Sequence, residues 1–267
     1  MQRINQRNSL NVKQIHMLKL MYKFRFVDIS SLSRYKGIVS YSCNKSLNIL
    51  LDQGYVGRHY NKGYKLQGKS AQYYLASKAI KLLRDEHNLD KQVLRAMYKN
   101  KSLSSDFVDY NIGVLTAYLN LRDCYPDTFH MFTKSELGSA DYFPDPKPSL
   151  YLSRIKPSNN LPNDYLMDIF TNSPFFVIKK RIATYIEHFE SGDWESQSKT
   201  SYPTLLFACP DSRGEDSLQR HLQKLMDNAG IDDLDIFTTT IKALLSTESG
   251  TKIWTNVLCP EKLKDLS

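Results

Sequence analysis

The stretch FPDPKPSLYL, residues 143–152, decides how the second half of this chain is read. Two prolines bracket Asp145, and the apolar alternation that follows predicts a strand. An aspartate held at the mouth of a strand can ligate a metal, whereas a Pro-Asp pair can also mark a plain turn. Metal-dependent phosphodiester cleavage needs hard oxygen ligands for a divalent cation and a nearby cationic side chain. One economical layout puts an Asp at a strand start, an acid on the adjacent strand, and a Lys on that strand or the next helix. Here Asp145 opens the strand, Asp168 lies within YLMDIF, and Lys179, Lys180 and Arg181 follow on a helix. These five are the candidate catalytic residues. Asp145, Asp168 and Glu136, in KSELG, are the candidate ligands for Mg²⁺ or Mn²⁺.

Composition bounds the other options. The chain has 267 residues, long enough for two modest domains, and its 41% hydrophobic and 12% aromatic content supports real cores. No stretch approaches the roughly 18 apolar residues that span a bilayer. The first residues, MQRINQRNSLNVKQ, are polar and basic without an apolar h-region, so a cytoplasmic protein with no membrane partner is expected. Cys43, Cys124, Cys209 and Cys259 show no paired spacing, which fits reduced thiols better than disulfides or a zinc site.

The net charge of +8 hides a split. Residues 1–101 hold 20 Lys and Arg against five Asp and Glu, a net +15, whereas residues 102–267 carry a net −7. Such segregation points to a polyanionic partner for the first part, although basic residues also simply solvate helices. NVKQIHMLKLMYKF places Val12, Ile15, Leu18 and Met21 or Tyr22 at helical spacing, with Asn11 as N-cap. RFVDISSLSRYKG predicts a second helix with Ile29, Leu32 and Tyr35 inward, ended by Gly37. SYSCNKSLNILLDQGYV predicts a third, with Leu47, Leu50 and Leu51 inward and Gly54 as its stop. Two β-prone runs then flank Asn61-Lys62-Gly63, a hairpin-turn signal. Three helices and a hairpin spell a winged helix-turn-helix, in which the N-terminal part of the third helix enters the major groove.

The expected DNA-binding residues follow from that placement. Ser40, Tyr41, Ser42, Asn44, Lys45 and Asn48 occupy the outward positions of the third helix. Arg58, His59, Lys62, Lys65 and Lys69 lie on the hairpin, and Arg3 and Arg7 on the leading arm. Winged helices also bind proteins, which is the competing use of the shape. ASKAIKLLRDEHNLDKQVLRAMYKN predicts a helical extension, and the polar KNKSLSSD marks a boundary near residues 100–106. The domains are therefore drawn as 1–101 and 102–267.

In the second part, FVDYNIGVLTAYLNLRDCYP predicts a helix, and TFHMFTKSEL, PSLYLSRI and NDYLMDIF predict strands. PFFVIKKRIATYIEHFESGDW predicts a long amphipathic helix with Ile178, Ile182, Tyr185 and Phe189 inward. YPTLLFACP and LDIFTTT predict strands, SLQRHLQKLMDNAG and KALLST helices, so an α/β sheet is expected. Arg213 reads equally as a phosphate contact or a surface salt bridge. Trp254 and the SPFF stretch read as core or domain contact, and Cys209 as a small apolar residue.

The layout around Asp145 and Asp168 resembles a PD-(D/E)XK nuclease core. With the winged helix before it, then MDIFTNSPFFVIKKRIATYIEH, PTLLFACPDSRGEDSLQRHLQ and LDIFTTTIKALLSTESGTKIW, nearly the whole chain resembles the replication-relaxation family of plasmids and mobile elements. That resemblance implies an N-terminal winged helix-turn-helix followed by a restriction-endonuclease-like α/β domain, acting in plasmid replication and DNA relaxation. It places Asp145 on the family's Pro-Asp aspartate and Asp168 on the first acid of a strand that usually reads Glu-Val-Asp. Phe170 stands in the second acidic place, and Arg181, four residues before Tyr185, where the family has lysine. An arginine does not exchange a proton near neutral pH, and its wide fork crowds a water that lysine would orient. The expectation is a duplex-DNA-binding protein whose degenerate nuclease-like domain recruits replication or mobilisation proteins. The alternatives are an active Mg²⁺- or Mn²⁺-dependent nickase, or a regulator whose second domain only forms a homodimer.

Overall fold

The computed structural model describes residues 10–60, 62–66, 68–138, 140–158, 161–171 and 173–266. Helix accounts for 51% and strand for 17%, which makes this a mixed α+β protein. The chain divides into two compact units, residues 1–112 and 113–267.

In the first unit, α1 (Val12–Phe24) starts with a reciprocal cap: Asn11 Oδ1 accepts from the Gln14 amide at 2.9 Å, and Gln14 Oε1 accepts from the Asn11 amide at 3.0 Å. Its buried face is Met17, Leu18, Leu20, Met21, Tyr22 and Phe24, so the inward stripe is displaced from Val12 and Ile15. Two residues then form β1 (Val27–Asp28), a strand that the helical reading of this segment did not anticipate. Asp28 closes it by capping α2 (Ile29–Lys36) through the Ser31 amide at 2.8 Å. Gly37, at φ 62°, ends α2 in a left-handed conformation that glycine adopts without strain.

α3 (Ser40–Asp52) buries Cys43, Leu47 and Leu50, while Leu51 is only half-buried. β2 (Val56–His59), a one-turn α4 (Lys62–Leu66) and β3 (Gln72–Leu75) follow. The antiparallel sheet order is β1-β3-β2. The expected tight turn at Asn61-Lys62-Gly63 is replaced by a longer connection containing α4, with Asn61 outside the described residues. The predicted helical extension is two helices, α5 (Ser77–Glu86) and α6 (Lys91–Met97). Asn88 takes φ 48° between them, and Asp90 caps the second through the amides of Gln92 and Val93.

A 3₁₀ turn (Asn100–Ser102) leads into α7 (Ser105–Cys124). Phe107 and Val108 of α7 pack with Phe26 and Tyr74 of the first unit, whereas residues beyond Ile112 belong to the second. The division therefore falls inside a continuous helix, past the polar stretch at 100–106.

The second unit holds β4 (Phe129–Thr133), α8 (Lys134–Leu137), β5 (Leu150–Arg154), β6 (Asp164–Ile169), α9 (Phe175–Ser191) and α10 (Asp193–Ser198). β7 (Thr204–Cys209), α11 (Ser212–Ala229), β8 (Ile236–Thr240), α12 (Ile241–Ser246), β9 (Trp254–Asn256) and β10 (Leu263–Lys264) complete it. The seven-stranded sheet runs β10-β9-β8-β7-β6-β5-β4. β6, β7 and β8 are parallel, joined through helices, and the other pairings are antiparallel.

One sheet face, carrying Leu166, Leu205, Phe207 and Ile236, is covered by Ile178, Ile182 and Tyr185 of α9 and Leu218, Leu222 and Met226 of α11. Met167, Leu206 and Ala208, on the opposite face, are equally buried. The near-continuous apolar runs of β6 and β7 reflect that two-sided burial. Among the described residues no helix is long and apolar enough to cross a membrane.

Candidate functional site

On α3 the helical period separates two surfaces. Cys43, Leu47 and Leu50 face inward, and Ser40, Tyr41, Ser42, Lys45 and Asn48 are exposed. Tyr41 is 77% exposed. Asn44 is half-buried, and its Oδ1 accepts from Asn48 Nδ2 at 3.4 Å, so the two amides lie one turn apart on a shared edge. Ser40 Oγ lies 3.2 Å from Ser33 Oγ of α2. The N-terminal half of α3 thus presents hydroxyls, amides, one aromatic ring and one ammonium group to solvent.

The hairpin residues divide differently from the expectation. Arg58 is exposed, with its guanidinium 5.7 Å from the Tyr60 ring centre. His59 turns inward: its Nε2 is 2.9 Å from the Asn100 carbonyl oxygen and its ring 4.8 Å from that of Tyr74. Lys69 donates to Asp109 at 2.6 Å, an ion pair whose hydrogen bond raises the lysine pKa. Both residues therefore serve the hairpin's own anchorage. Lys62 and Lys65 lie on α4, their side chains outside the described residues, as Arg3 and Arg7 are altogether.

In the second unit the β5–β6 register answers the question raised by FPDP. Leu150 pairs with Met167, which sets Ser149 opposite Asp168. Asp168 is buried at 6% exposure and its carboxylate is fully used. Oδ1 accepts from the Ser149 amide and hydroxyl, both at 2.8 Å, and Oδ2 from Arg181 Nε at 2.5 Å and Tyr185 Oη at 2.9 Å. Arg181 also donates to Tyr185 Oη at 2.7 Å and to the Pro146 carbonyl. Burial, reinforced by the Asp168 charge, holds the Tyr185 phenol well above its usual pKa, so it stays a neutral donor.

The remaining candidates do not join this cluster. Asp145, next to the Pro146 carbonyl that Arg181 grips, is itself exposed, and the Asp145–Pro146 peptide is cis. Glu136 caps α8, accepting from the Thr133 amide at 2.9 Å. That cap also explains why TFHMFTKSEL is not one strand: KSEL turns into a helix. Lys179 and Lys180 are exposed on the far side of α9. A divalent cation needs carboxylate oxygens with free lone pairs, and here the central acid has four protein donors. Among the described residues no three His, Cys, Asp or Glu side chains gather as a metal-binding group. The donor set as folded does not fit Mg²⁺ or Mn²⁺.

Other singled-out residues have plain positions. Arg213 is exposed in the first turn of α11, next to the Asp211 cap, and Trp254 is buried. Burial pushes the Cys209 thiol up to about 12, which leaves it an inert apolar filler. SPFF is not core. Phe176 is 70% exposed, because two residues before Ile178 is the opposite side of a helix. Ser149 was missed because nothing in its local sequence marks it, and only the strand register sets it against Asp168. Tyr185 was legible as an inward helix position, although not as a hydrogen-bond donor. No family model, no curated protein and no solved structure matches the chain.

Proposed function

We propose that this chain is a double-stranded DNA-binding protein of the plasmid or mobile-element replication-relaxation kind. In this reading α1–α3 with the β2–β3 hairpin act as a winged helix-turn-helix, and the second unit is a nuclease-like frame that recruits partners without cutting. The observation that carries it is the solvent-facing side of α3 from Ser40 to Asn48, with Lys45, Asn48 and flanking hydroxyls over a small apolar core. Amides pair bidentately with adenine and a lysine with guanine or phosphate, so this face suits major-groove reading. The +15 charge of residues 1–101 supplies the sequence-independent attraction to phosphates. In the second unit, Asp145 before β5, Asp168 on the neighbouring β6 and Arg181 on the following helix follow the nuclease layout. The internal Asp168–Arg181 pair is the reason to read that frame as inactive.

The test is selection of bound duplexes from a randomised pool, followed by affinity measurement on the enriched site. The wild type enriches a site, and Lys45→Glu with Asn48→Ala lowers affinity for it by about 10- to 100-fold, the scale of one lost bidentate base contact. Failure to enrich any duplex, or an unchanged affinity in the variant, sinks the reading. Incubation with supercoiled plasmid and Mn²⁺ checks the second unit. Nicking that disappears in Asp145→Ala would establish a nickase instead.

A further inference from the structure

The solvent side of α9 has a composition that neither its packing nor the duplex reading uses. Its inward stripe is Ile178, Ile182 and Tyr185. Phe176, Lys179 and Lys180 occupy the opposite side within one turn, and Phe175 and Val177 flank them at 37% and 42% exposure. Neither lysine has an ion-pair partner among the described residues, and α9 carries no carboxylate before Glu187. Within a unit of net negative charge, this is a local cationic surface. Lys179 Nζ lies 5.8 Å from the Phe175 ring centre, and His221 of α11 meets the same ring at 6.1 Å, edge-on. These contacts fix Phe175 as a support while leaving Phe176 open. Pro174 provides no side-chain cap, so no carboxylate offsets the positive end of the helix. Burial and the Lys179 charge both lower the His221 pKa, consistent with the lysine standing close to this cluster.

An exposed aromatic ring with cations a turn away fits a chain that alternates flat bases with phosphates, because every base has a π face. A duplex hides its base faces, and an acidic peptide would use the lysines but not the ring. We propose that the Phe176–Lys179–Lys180 face of α9 binds single-stranded nucleic acid, with Phe176 stacking on an unpaired base and the two lysines contacting adjacent phosphates. This site lies in the other unit from α3 and stands whether or not α3 reads a duplex.

The experiment uses the full-length protein and fluorescein-labelled oligo(dT) in an anisotropy titration. Phe176→Ala weakens binding by about tenfold, within the range for loss of one base–aromatic stack, whereas Phe176→Tyr retains it. Lys179→Glu with Lys180→Glu makes the salt dependence shallower by about 1.4 log units per decade, two phosphates at about 0.7 each. Phe176→Trp adds an exposed fluorophore to a protein whose own Trp194 and Trp254 are buried, and its emission is quenched as the oligonucleotide binds. All four variants keep the duplex affinity of the wild type, so loss of both activities in any of them overturns the assignment. It is equally overturned if oligo(dT) does not bind at low salt, or if Phe176→Ala leaves its affinity unchanged. A self-association that Phe176→Ala abolishes would identify the face as a protein contact and also refute the proposal.

Discussion

Replacing Arg181 by Met and Asp168 by Leu, singly and together, tests whether the centre of the second unit is a closed ion pair. Both side chains are about nine-tenths buried, at 11% and 8% exposure, so solvent screens little of their interaction. Removing one partner of a buried pair costs about 3–5 kcal/mol, because the other charge is left uncompensated. The two single changes differ in what they strand. Arg181→Met leaves a carboxylate that still accepts from the Ser149 amide, the Ser149 hydroxyl and Tyr185 Oη, which places it near the lower bound, about 3 kcal/mol. Asp168→Leu leaves the guanidinium buried without its carboxylate and removes the acceptor of the Ser149 amide and hydroxyl, which places it near the upper bound, about 5 kcal/mol. The double variant removes both charges and retains mainly the cost of the carboxylate acceptor lost to Ser149, about 2–3 kcal/mol. The single costs sum to about 8 kcal/mol against about 2–3 for the double, a coupling of about 5–6 kcal/mol that lies far outside the additivity of independent sites. Urea unfolding followed by tryptophan emission reads this unit alone, since Trp194 and Trp254 are the only tryptophans and both lie in it. In a thermal melt, Arg181→Met lowers the transition by about 10 °C. An Arg181→Met protein within about 1 kcal/mol of wild type, or single effects that simply add, would refute the closed pair and reopen the site to a metal ion.

Three further outcomes test the local arguments. Gly57→Ala drives a Cβ into the ring of its cross-strand partner Tyr74, which His59 and Phe26 hold in place, so the first unit loses about 1–3 kcal/mol by circular dichroism of its unfolding; an unchanged midpoint would show that the ring moves freely. Asp109→Asn, at a pair one-third exposed on each side, costs the first unit no more than about 1 kcal/mol. If it also strengthens duplex binding, the freed Lys69 is reaching phosphate, as the sequence suggested. His188 is neutral in the fold: burial lowers its pKa against the opposing Tyr142 contact and the charges of Asp193 and Glu195, so stability is full above 6.5 and declines as pH falls below 6.5 towards the folded pKa. His188→Gln flattens that decline in tryptophan-monitored urea midpoints, and an identical pH profile in the variant would remove His188 as its source.

What could be read in the sequence was whatever is encoded locally. Asn11, Gly37 and Gly54 announce helix ends because capping and left-handed turns depend on one residue's chemistry, and each stands where expected. The strands β6–β8 were legible because burial on both faces makes their apolar runs dense, and β5 because its start alternates Leu150 and Leu152 inward with a half-buried Tyr151. β1, two residues long, carries too little pattern to compete with the helix signal after it, and it exists only because β3 is there to pair with. α5 and α6 ran together because Asn88 and Asp90 break the helix by backbone conformation rather than by proline or glycine. His59 and Lys69 looked like free hairpin cations because Asn100 and Asp109, which engage them, lie about 40 residues further along the chain.

The same limit governed the carboxylates. Spacing could nominate Asp145 and Asp168 but could not reveal that Ser149 sits opposite Asp168, nor that α9 returns Arg181 to it. Once those long-range facts are fixed, the choice of arginine over lysine has a structural meaning. Lysine offers one compact ammonium group, which could pair with Asp168 or orient a water but not do both while holding the Pro146 turn. The planar guanidinium spans three acceptors at once, Asp168 Oδ2, the Pro146 carbonyl and Tyr185 Oη, and so ties β6, the 143–149 segment and α9 together. An Arg181→Lys protein separates these roles: it keeps a positive charge beside Asp168 but gives up the fork. Its stability should therefore fall between wild type and Arg181→Met. A gain of Mn²⁺-dependent nicking in that single variant would mean that the arginine is what holds a competent frame silent. Its absence would leave the guanidinium fork with the structural role alone.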